Sequence, residues 1–195
     1  GGGGVGHNPR IASGLGIIPR VVANGRAIYS GKIPREEADR RINTYWVPYH
    51  TALQKLLSDS YARFGEAILI DCHSMPHEAV DNVERSGVPR PDIVLGDRFG
   101  PAAGAEIGAQ IQTVFLEAGL RVSRNTPFAG AYTTQHYGRP SRRQHVIQIE
   151  IDRSLYMNEQ MIRPNNNFNA FRSLLREVVA RITDIGARET KLAAE

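Results

Sequence analysis

Two short apolar segments of the chain each run into side chains that carry acid–base or metal-binding chemistry. In the first, Ala67-Ile-Leu-Ile-Asp-Cys-His-Ser-Met-Pro76, an aliphatic run leads into Asp71, His73 and Ser74. In the second, Val146-Ile-Gln-Ile-Glu-Ile151, Glu150 has the same position near the end of the run. Apolar runs of this length are typical of buried strands in α/β sheets, which present polar residues at their carboxyl ends. We therefore predict that His73 and Glu150 share one rim of a sheet.

This pairing of an imidazole with a buried carboxylate is typical of a metal-assisted hydrolase. A purely structural role remains open for both His73 and Glu150. A histidine at a strand end is often simply hydrogen-bonded, and a buried carboxylate is often paired with another group. We expect Asp71 to support its neighbouring strand or to hydrogen-bond a metal ligand. Strand alternation turns Cys72 away from this face, which predicts a small, buried apolar side chain there.

Composition limits the class of protein. The 195 residues are 41% hydrophobic and 23% charged, which predicts a single globular domain over residues 1–195. The single cysteine excludes an internal disulfide framework and favours a reducing, cytoplasmic setting. We find neither a membrane-length apolar run nor a signal peptide, so no membrane association is expected.

The charge pattern argues against nucleic acid as a partner. A net charge of +4 is mild, the basic residues are scattered, and only 7% of the residues are aromatic. The densest basic group is Arg139, Arg142 and Arg143. Because arginine binds carboxylates through two parallel hydrogen bonds, an arginine near the Glu150 strand could hold a small acidic substrate.

Helical and strand patterns alternate along the chain. Helices are predicted from Pro34 with an interruption at Pro48, from Gly104 to Glu117 with a glycine cap at Gly119, and from Phe168 onward. Further strands are predicted at Asp92–Gly96 and Leu120–Ser123, a hairpin turn at Asn24-Gly25, and loops at 76–90 and 128–140. This alternation indicates an α/β fold with a mainly parallel sheet flanked by helices.

Four motifs, in this order, carry a family resemblance: Asp71-Cys-His-Ser-Met-Pro76, Asp92-Ile-Val-Leu-Gly-Asp97, Pro127-Phe-Ala-Gly-Ala-Tyr-Thr-Thr-Gln-His-Tyr-Gly-Arg-Pro140 and Gln148-Ile-Glu-Ile-Asp-Arg-Ser-Leu-Tyr-Met157. Together they resemble the N-formylglutamate amidohydrolase (N-formylglutamate deformylase) family over the stretch from Gly14 to Ile162. That family is similar to zinc carboxypeptidases and aspartoacylase. The resemblance therefore implies a phosphorylase/hydrolase-like α/β fold with a mixed, mainly parallel sheet flanked by helices.

The resemblance also implies roles for particular residues. The family holds one zinc with two histidines and a glutamate, and a separate glutamate acts on the zinc-bound water. By position, His73 matches a zinc-ligand histidine and Glu150 matches the catalytic glutamate. The stretch from Tyr132 to Arg139 matches the substrate-side loop. There we expect Arg139 to contact a substrate carboxylate or carbonyl, and the pocket to be lined by Tyr132, Thr133 and His136.

One departure from the family pattern concerns the rest of the zinc site. The family's first histidine, its acidic ligand and an Asn-Arg pair for the substrate carboxylate belong to a segment upstream of anything that resembles Gly14. We therefore expect this chain to lack the N-terminal part of the family's domain, and the other two zinc ligands to lie upstream of it. His7, His50 and His77 are the spare imidazoles, and none has a spacing that assigns it as a ligand.

The sequence thus predicts a zinc-dependent amidohydrolase that cleaves a small acidic N-acyl amino acid, with N-formyl-L-glutamate as the first candidate. Formate and L-glutamate would be the products. Two alternatives remain open at this point. One is a related zinc amidase or carboxypeptidase that acts on a peptide or cell-wall fragment. The other is a metal-free domain that binds an acidic metabolite. The sequence carries no prediction of oligomeric state.

Overall fold

The computed structural model of the protein describes residues 18–22, 25–81, 83, 87 and 89–192. The chain divides into two compact units, Gly1–Lys55 and Leu56–Glu195. The expectation of one domain over residues 1–195 therefore stays a prediction. Each unit is described separately below. Among the described residues, no helix combines the length and the apolar character needed to cross a bilayer.

The described residues of the first unit include an antiparallel bridge between Val21 and Ala27 and helix α1, Arg35–Arg41. α1 begins one residue after the predicted start, with Pro34 as its N-cap. A π-helical turn, Ile42–Trp46, leads into helix α2, Val47–Phe64, which runs on into the second unit. The predicted interruption at Pro48 therefore corresponds to a restart at Val47. Asn24 of the predicted hairpin turn lies outside the described residues.

Several large apolar side chains of this helical stretch are exposed. Tyr45 and Tyr49 are 66% and 56% exposed, whereas Leu57 is buried. Inside the first unit, Arg41 donates from Nη1 to the Tyr29 hydroxyl at 2.9 Å and from Nε to Glu37 at 2.7 Å. Polar contacts thus hold α1 against the segment that precedes it.

The second unit is built on a four-stranded sheet in the order β1-β4-β2-β3. Its strands are β1, Ala67–Met75; β2, Ile93–Gly96; β3, Val122–Arg124; and β4, Gln144–Asp152. β1 pairs with β4 and β2 with β3 in parallel, whereas β2 and β4 are antiparallel. The α/β class with a mixed, mainly parallel sheet is therefore confirmed.

One face of this sheet carries the apolar core. β4 alternates strictly, so that Ile147 and Ile149 point to this face while Gln148 and Glu150 point to the other. Helices α3, Ala105–Glu117, and α5, Phe168–Leu192, cover the apolar face. Their buried residues Ile107, Ile111, Val114, Phe115, Phe171, Val178 and Ile185 pack with the strand isoleucines in one cluster. The helices thus leave the opposite, polar face for other elements.

Shorter elements complete the second unit. Helix α4, Tyr132–Tyr137, lies where the sequence predicts a loop. The prediction was wrong because polar and aromatic side chains hide the helical period, and only Thr134 and Tyr137 of the six are buried. A two-stranded ribbon, β5 at Met157–Asn158 and β6 at Arg163–Pro164, precedes α5. Between β1 and β2, the described part of the chain contains a 3₁₀ turn at His77–Val80.

Two buried aspartates at the ends of β2 are paired with arginines. Asp92 accepts from Nε and Nη2 of Arg121 at 3.0 and 2.8 Å, and Asp97 accepts from Arg124 and, at 2.8 Å, from Asn125. Burial raises the pKa of Asp92, but the hydrogen bonds from Arg121 outweigh burial and hold that pKa below its ordinary value. The contacts of Asp97 fix the start of the loop that leads from β3 toward α4, and the Asp92–Arg121 pair joins the starts of β2 and β3.

The position of Cys72 corrects a prediction. Instead of being buried, Cys72 is exposed and lines an open groove of about 620 Å³ beside α5. Within the described sheet β1 is an edge strand with β4 as its one neighbour, and the face of β1 at Cys72 stays open to this groove.

Ile111 of α3 is fully buried in the apolar core, so we predict that truncating its side chain strongly lowers the stability of the fold. Ile111→Ala should lower the free energy of unfolding by about 2–5 kcal/mol, because it removes buried methyl groups and leaves a cavity. Leu116→Ala, on the exposed side of the same helix, is the control and should stay within about 1 kcal/mol of the parent. Urea unfolding followed by circular dichroism measures both. Equal losses for the two variants would contradict the assigned core.

Candidate active site

His73 and Glu150 lie directly opposite each other on neighbouring strands. In the parallel pairing of β1 with β4, His73 is the register partner of Glu150, and Asp71 is the partner of Gln148. Because side chains alternate along a strand, these four residues point to the same face of the sheet, away from the isoleucine core. The structure thus brings together the two residues that the sequence singles out.

Asp71 lies beside His73 on the same face. The Nε2 atom of His73 is 3.1 Å from Oδ1 of Asp71, and the Asp71 side chain is the more buried of the two. A carboxylate at this distance orients the imidazole ring. This contact agrees with the supporting role expected for Asp71, while the roles of both residues stay predictions.

Glu150 is a buried carboxylate held by one amide. It is 7% exposed, and Gln148 donates from Nε2 to Oε1 of Glu150 at 2.9 Å. Burial raises the pKa of Glu150 above its ordinary value, although the charge of His73 and the Gln148 hydrogen bond act in the opposite direction. A carboxylate with a raised pKa is a stronger base, which is the property that general base catalysis requires.

Gln148 also connects Glu150 to the segment that enters α4. Its Oε1 accepts from the backbone N–H of Ala131 at 2.9 Å. This approach depends on Gly96, where a Cβ atom would lie 2.6 Å from the backbone nitrogen of Gly130. Gln148 was not predicted as a site residue. Its position two residues before Glu150 on an alternating strand places it on the same face, and this spacing could have identified it.

The predicted pocket residues Tyr132, Thr133 and His136 all belong to α4, which follows Ala131. Tyr132 is the first residue of α4 and directly follows Ala131, so its backbone lies near Gln148. Its ring stacks on His136 with centroids 5.0 Å apart, and both side chains are exposed. Thr133 is half-buried. The start of α4 thus adjoins the site.

Arg139 is at the other end of β4. It forms a bridge with Gln144, the first residue of that strand, whereas Glu150 is six residues further on, about 20 Å along the strand. Its Nη1 donates to the backbone oxygen of Gln135 at 3.1 Å. The structure does not bring Arg139 together with Glu150, and its expected substrate contact stays a prediction.

A different arginine lies at the rim where β1 and β4 end. Arg153 directly follows β4 and donates from Nε to the hydroxyl of Ser74 at 3.1 Å. Ser74 is the residue after His73, so this contact links the two strands that carry the site. Arg153 belongs to one of the family motifs, but it was not predicted as a site residue. The prediction of an anion-binding arginine rested on the denser basic group at 139–143.

The spare histidines take separate positions. His77 follows β1, and its Nδ1 is 2.7 Å from Oδ2 of Asp152, the buried last residue of β4. Its Nε2 contacts Arg90, which can only donate, so this nitrogen is the acceptor. His50 packs against Trp46 in the first unit, with ring centroids 4.3 Å apart. His7 lies outside the described residues.

A metal site requires a group of His, Cys, Asp or Glu side chains that can bind one ion together. Among the side chains that the structure describes, no three or more His, Cys, Asp or Glu residues form a group that could hold a metal ion. A catalytic zinc requires three protein ligands. The described residues therefore do not make up the zinc site that the resemblance implies, although His73 has the chemistry of one of its ligands.

Comparison with known proteins identifies the family of the chain. The family model described as N-formylglutamate amidohydrolase matches residues 5–157. An N-formylglutamate deformylase of Pseudomonas aeruginosa is 33% identical over 154 residues, which are 74% of this chain and 54% of that protein. The N-formylglutamate deformylase of Pseudomonas putida is 32% identical over 153 residues, again 74% and 54% of the two chains. The chain thus spans about half the length of these curated relatives.

A solved structure is similar over most of the chain. The N-formylglutamate amidohydrolase from Ralstonia eutropha JMP134 superposes with a TM-score of 0.81 at 34% sequence identity. The match covers 93% of this chain and 64% of that protein. These findings confirm the family resemblance drawn from the four motifs.

The raised pKa of Glu150 predicts a pH-dependent effect on stability. A buried carboxyl with a raised pKa resists ionisation, so its cost to the fold is absent below the ordinary pKa of 4.5 and appears as the pH rises through the raised value. Glu150→Gln keeps the size and the Gln148 contact but cannot ionise. The variant should therefore unfold at a higher temperature than the parent at pH 8, with a smaller difference at pH 4.

Thermal unfolding at the two pH values measures this effect. Glu177→Gln, on an exposed position of α5, is the matched control and should give the same small difference at both. A Glu150→Gln variant less stable than the parent at pH 8 would show that Glu150 is stabilised in its charged form.

Proposed function

The chain belongs to the N-formylglutamate amidohydrolase family, and on that premise we propose that it hydrolyses N-formyl-L-glutamate to formate and L-glutamate. The pairing of His73 with Glu150 in register on the polar face of the sheet carries this proposal. It supplies a buried base beside an imidazole, which suits amide hydrolysis. The names of the relatives support the choice of the formyl group and glutamate.

Glu150 acts as the general base in this proposal. Its carboxylate takes a proton from the attacking water as the water oxygen bonds to the formyl carbon. The same carboxyl then gives the proton to the leaving nitrogen as the C–N bond breaks, which yields formate and the amine of glutamate. Gln148 holds Oε1, which leaves Oε2 for the water. Burial supports the second step as well, because a raised pKa keeps the accepted proton on Glu150 until the amine leaves.

We propose zinc as the cofactor, with His73 as one ligand. A zinc ion would lower the pKa of a bound water and polarise the formyl oxygen. The described residues do not provide the three ligands by themselves. Asp71 would then act on the metal only through His73, by fixing the orientation of the imidazole. Tyr132 and Thr133, at the start of α4, are proposed to line the substrate pocket.

Glu150→Gln tests the role of the base. Turnover of N-formyl-L-glutamate should fall by about 10² or more, because the amide keeps the shape but cannot accept the proton. The matched control Glu177→Gln replaces an exposed carboxylate of α5 and should retain parental turnover. Release of formate is measured under saturating substrate, in the full protein. Near-normal turnover of Glu150→Gln would overturn the assignment.

Elemental analysis of the same proteins separates the base from the metal ligand. Zinc should remain stoichiometric in Glu150→Gln, because this residue is not proposed as a ligand. It should fall in His73→Ala, because removing one imidazole weakens zinc binding. Equal zinc contents in His73→Ala and the parent would remove His73 from the proposed ligand set.

A further inference from the structure

The guanidinium of Arg153 lies at the rim formed by the carboxyl ends of β1 and β4. Its Nε donates to the hydroxyl of Ser74 at 3.1 Å and its Nη2 to the backbone oxygen of Ser74 at 3.3 Å. Ser74 follows His73 and therefore points to the opposite face of the sheet, so these two bonds hold the guanidinium at the strand ends, where the two faces meet. From there its positive charge acts on Glu150.

The hydrogen bonds of Arg153 leave one side of the guanidinium unoccupied. An arginine has five N–H donors, and the two bonds to Ser74 use one on Nε and one on Nη2. Arg153 forms an ion pair with Glu159, but Oε1 of Glu159 is 3.9 Å from Nη1, which is beyond hydrogen-bond distance. The other oxygen of Glu159 accepts from the backbone N–H of His77 at 3.0 Å. The remaining donors on Nη1 and Nη2 thus have no hydrogen-bond acceptor among the described residues.

The environment of Arg153 suits an anion from solution. The side chain is 36% exposed, so a small molecule can reach it, while the bonds to Ser74 fix its orientation. Its charge also acts on Glu150, where it opposes the effect of burial on the pKa of that carboxyl. A fixed guanidinium with free donors on two nitrogens matches the two oxygens of a carboxylate.

We propose that Arg153 binds one carboxylate of the substrate and thereby selects acidic N-formyl amino acids. This inference rests on the proposed function, because it assigns the carboxylate-binding residue of the same site. The carboxylate contact that the sequence predicts for Arg139 is thus assigned to Arg153, which lies at the same end of β4 as Glu150. Arg139 uses its Nη1 on the carbonyls of its own segment, at Gln135 and Gly138.

Steady-state kinetics on three substrates test the proposal in the full protein. N-formyl-L-glutamate carries two carboxylates, N-formyl-L-glutamine lacks the side-chain one, and N-formyl-L-isoglutamine lacks the α-carboxylate. Arg153→Gln should raise KM for N-formyl-L-glutamate at least about tenfold and change kcat far less, because a charge-assisted bidentate contact is lost. For one of the two amides KM should hardly change, and that amide identifies the carboxylate that Arg153 binds.

Three further variants complete the design. Arg153→Lys keeps the charge without the fork and should give an intermediate KM, which also guards against misfolding of Arg153→Gln. Arg142→Gln removes an exposed arginine at the far end of β4 and should behave as the parent. Arg139→Gln tests the rival residue. A selective rise in KM for Arg139→Gln but not for Arg153→Gln would overturn the proposal, as would an equal rise on all three substrates.

Calorimetric binding of L-glutamate separates this inference from the proposed reaction. Parent protein that binds L-glutamate through Arg153 but releases no formate would retain the carboxylate site and overturn the function. Formate release with no dependence on Arg153 would do the reverse. A parent protein that neither binds L-glutamate nor releases formate would overturn both.

Discussion

The parallel register between β1 and β4 is the constraint on which the site depends. It sets His73 opposite Glu150 and Asp71 opposite Gln148, so that all four point to one face. A shift of one residue in this register would move one member of each pair to the isoleucine face. The register is held because the same two strands must present their aliphatic residues to α3 and α5, and that shared core leaves one arrangement for the polar residues.

Burial gives this arrangement its chemical character. The sheet separates an apolar face, where helices pack, from a polar face, where Glu150 is buried under the segment that leads into α4. Burial there raises the pKa of Glu150, and the charges of His73 and Arg153 and the hydrogen bond from Gln148 offset this rise only in part. By contrast, Asp92 is also buried but accepts three hydrogen bonds from Arg121, two from its side chain and one from its backbone N–H, and its pKa falls. The neighbours of these two buried carboxylates thus suit Glu150 to a reactive role and Asp92 to a structural one.

The sequence predicts the strands and helices of the second unit well because their periodicity is strong. His73 and Glu150 could be found since each follows an aliphatic run, and the family motifs name both. Arg153 belongs to one of the family motifs, but no local pattern shows its contact with Ser74, which is distant in sequence and meets it only across the paired strand ends. Cys72 was misassigned for a similar reason: alternation gives the face of a residue, whereas its burial depends on which element covers that part of the sheet.

The central claim is that His73 and Glu150 act as one unit, and a double-mutant cycle on turnover tests it most directly. His73→Ala, Glu150→Gln and the double variant are compared for formate release from N-formyl-L-glutamate. Residues that act together give non-additive losses. The account predicts that the double variant is no slower than the slower single variant. Losses that multiply in the double variant would show that the two residues act independently and would contradict the account.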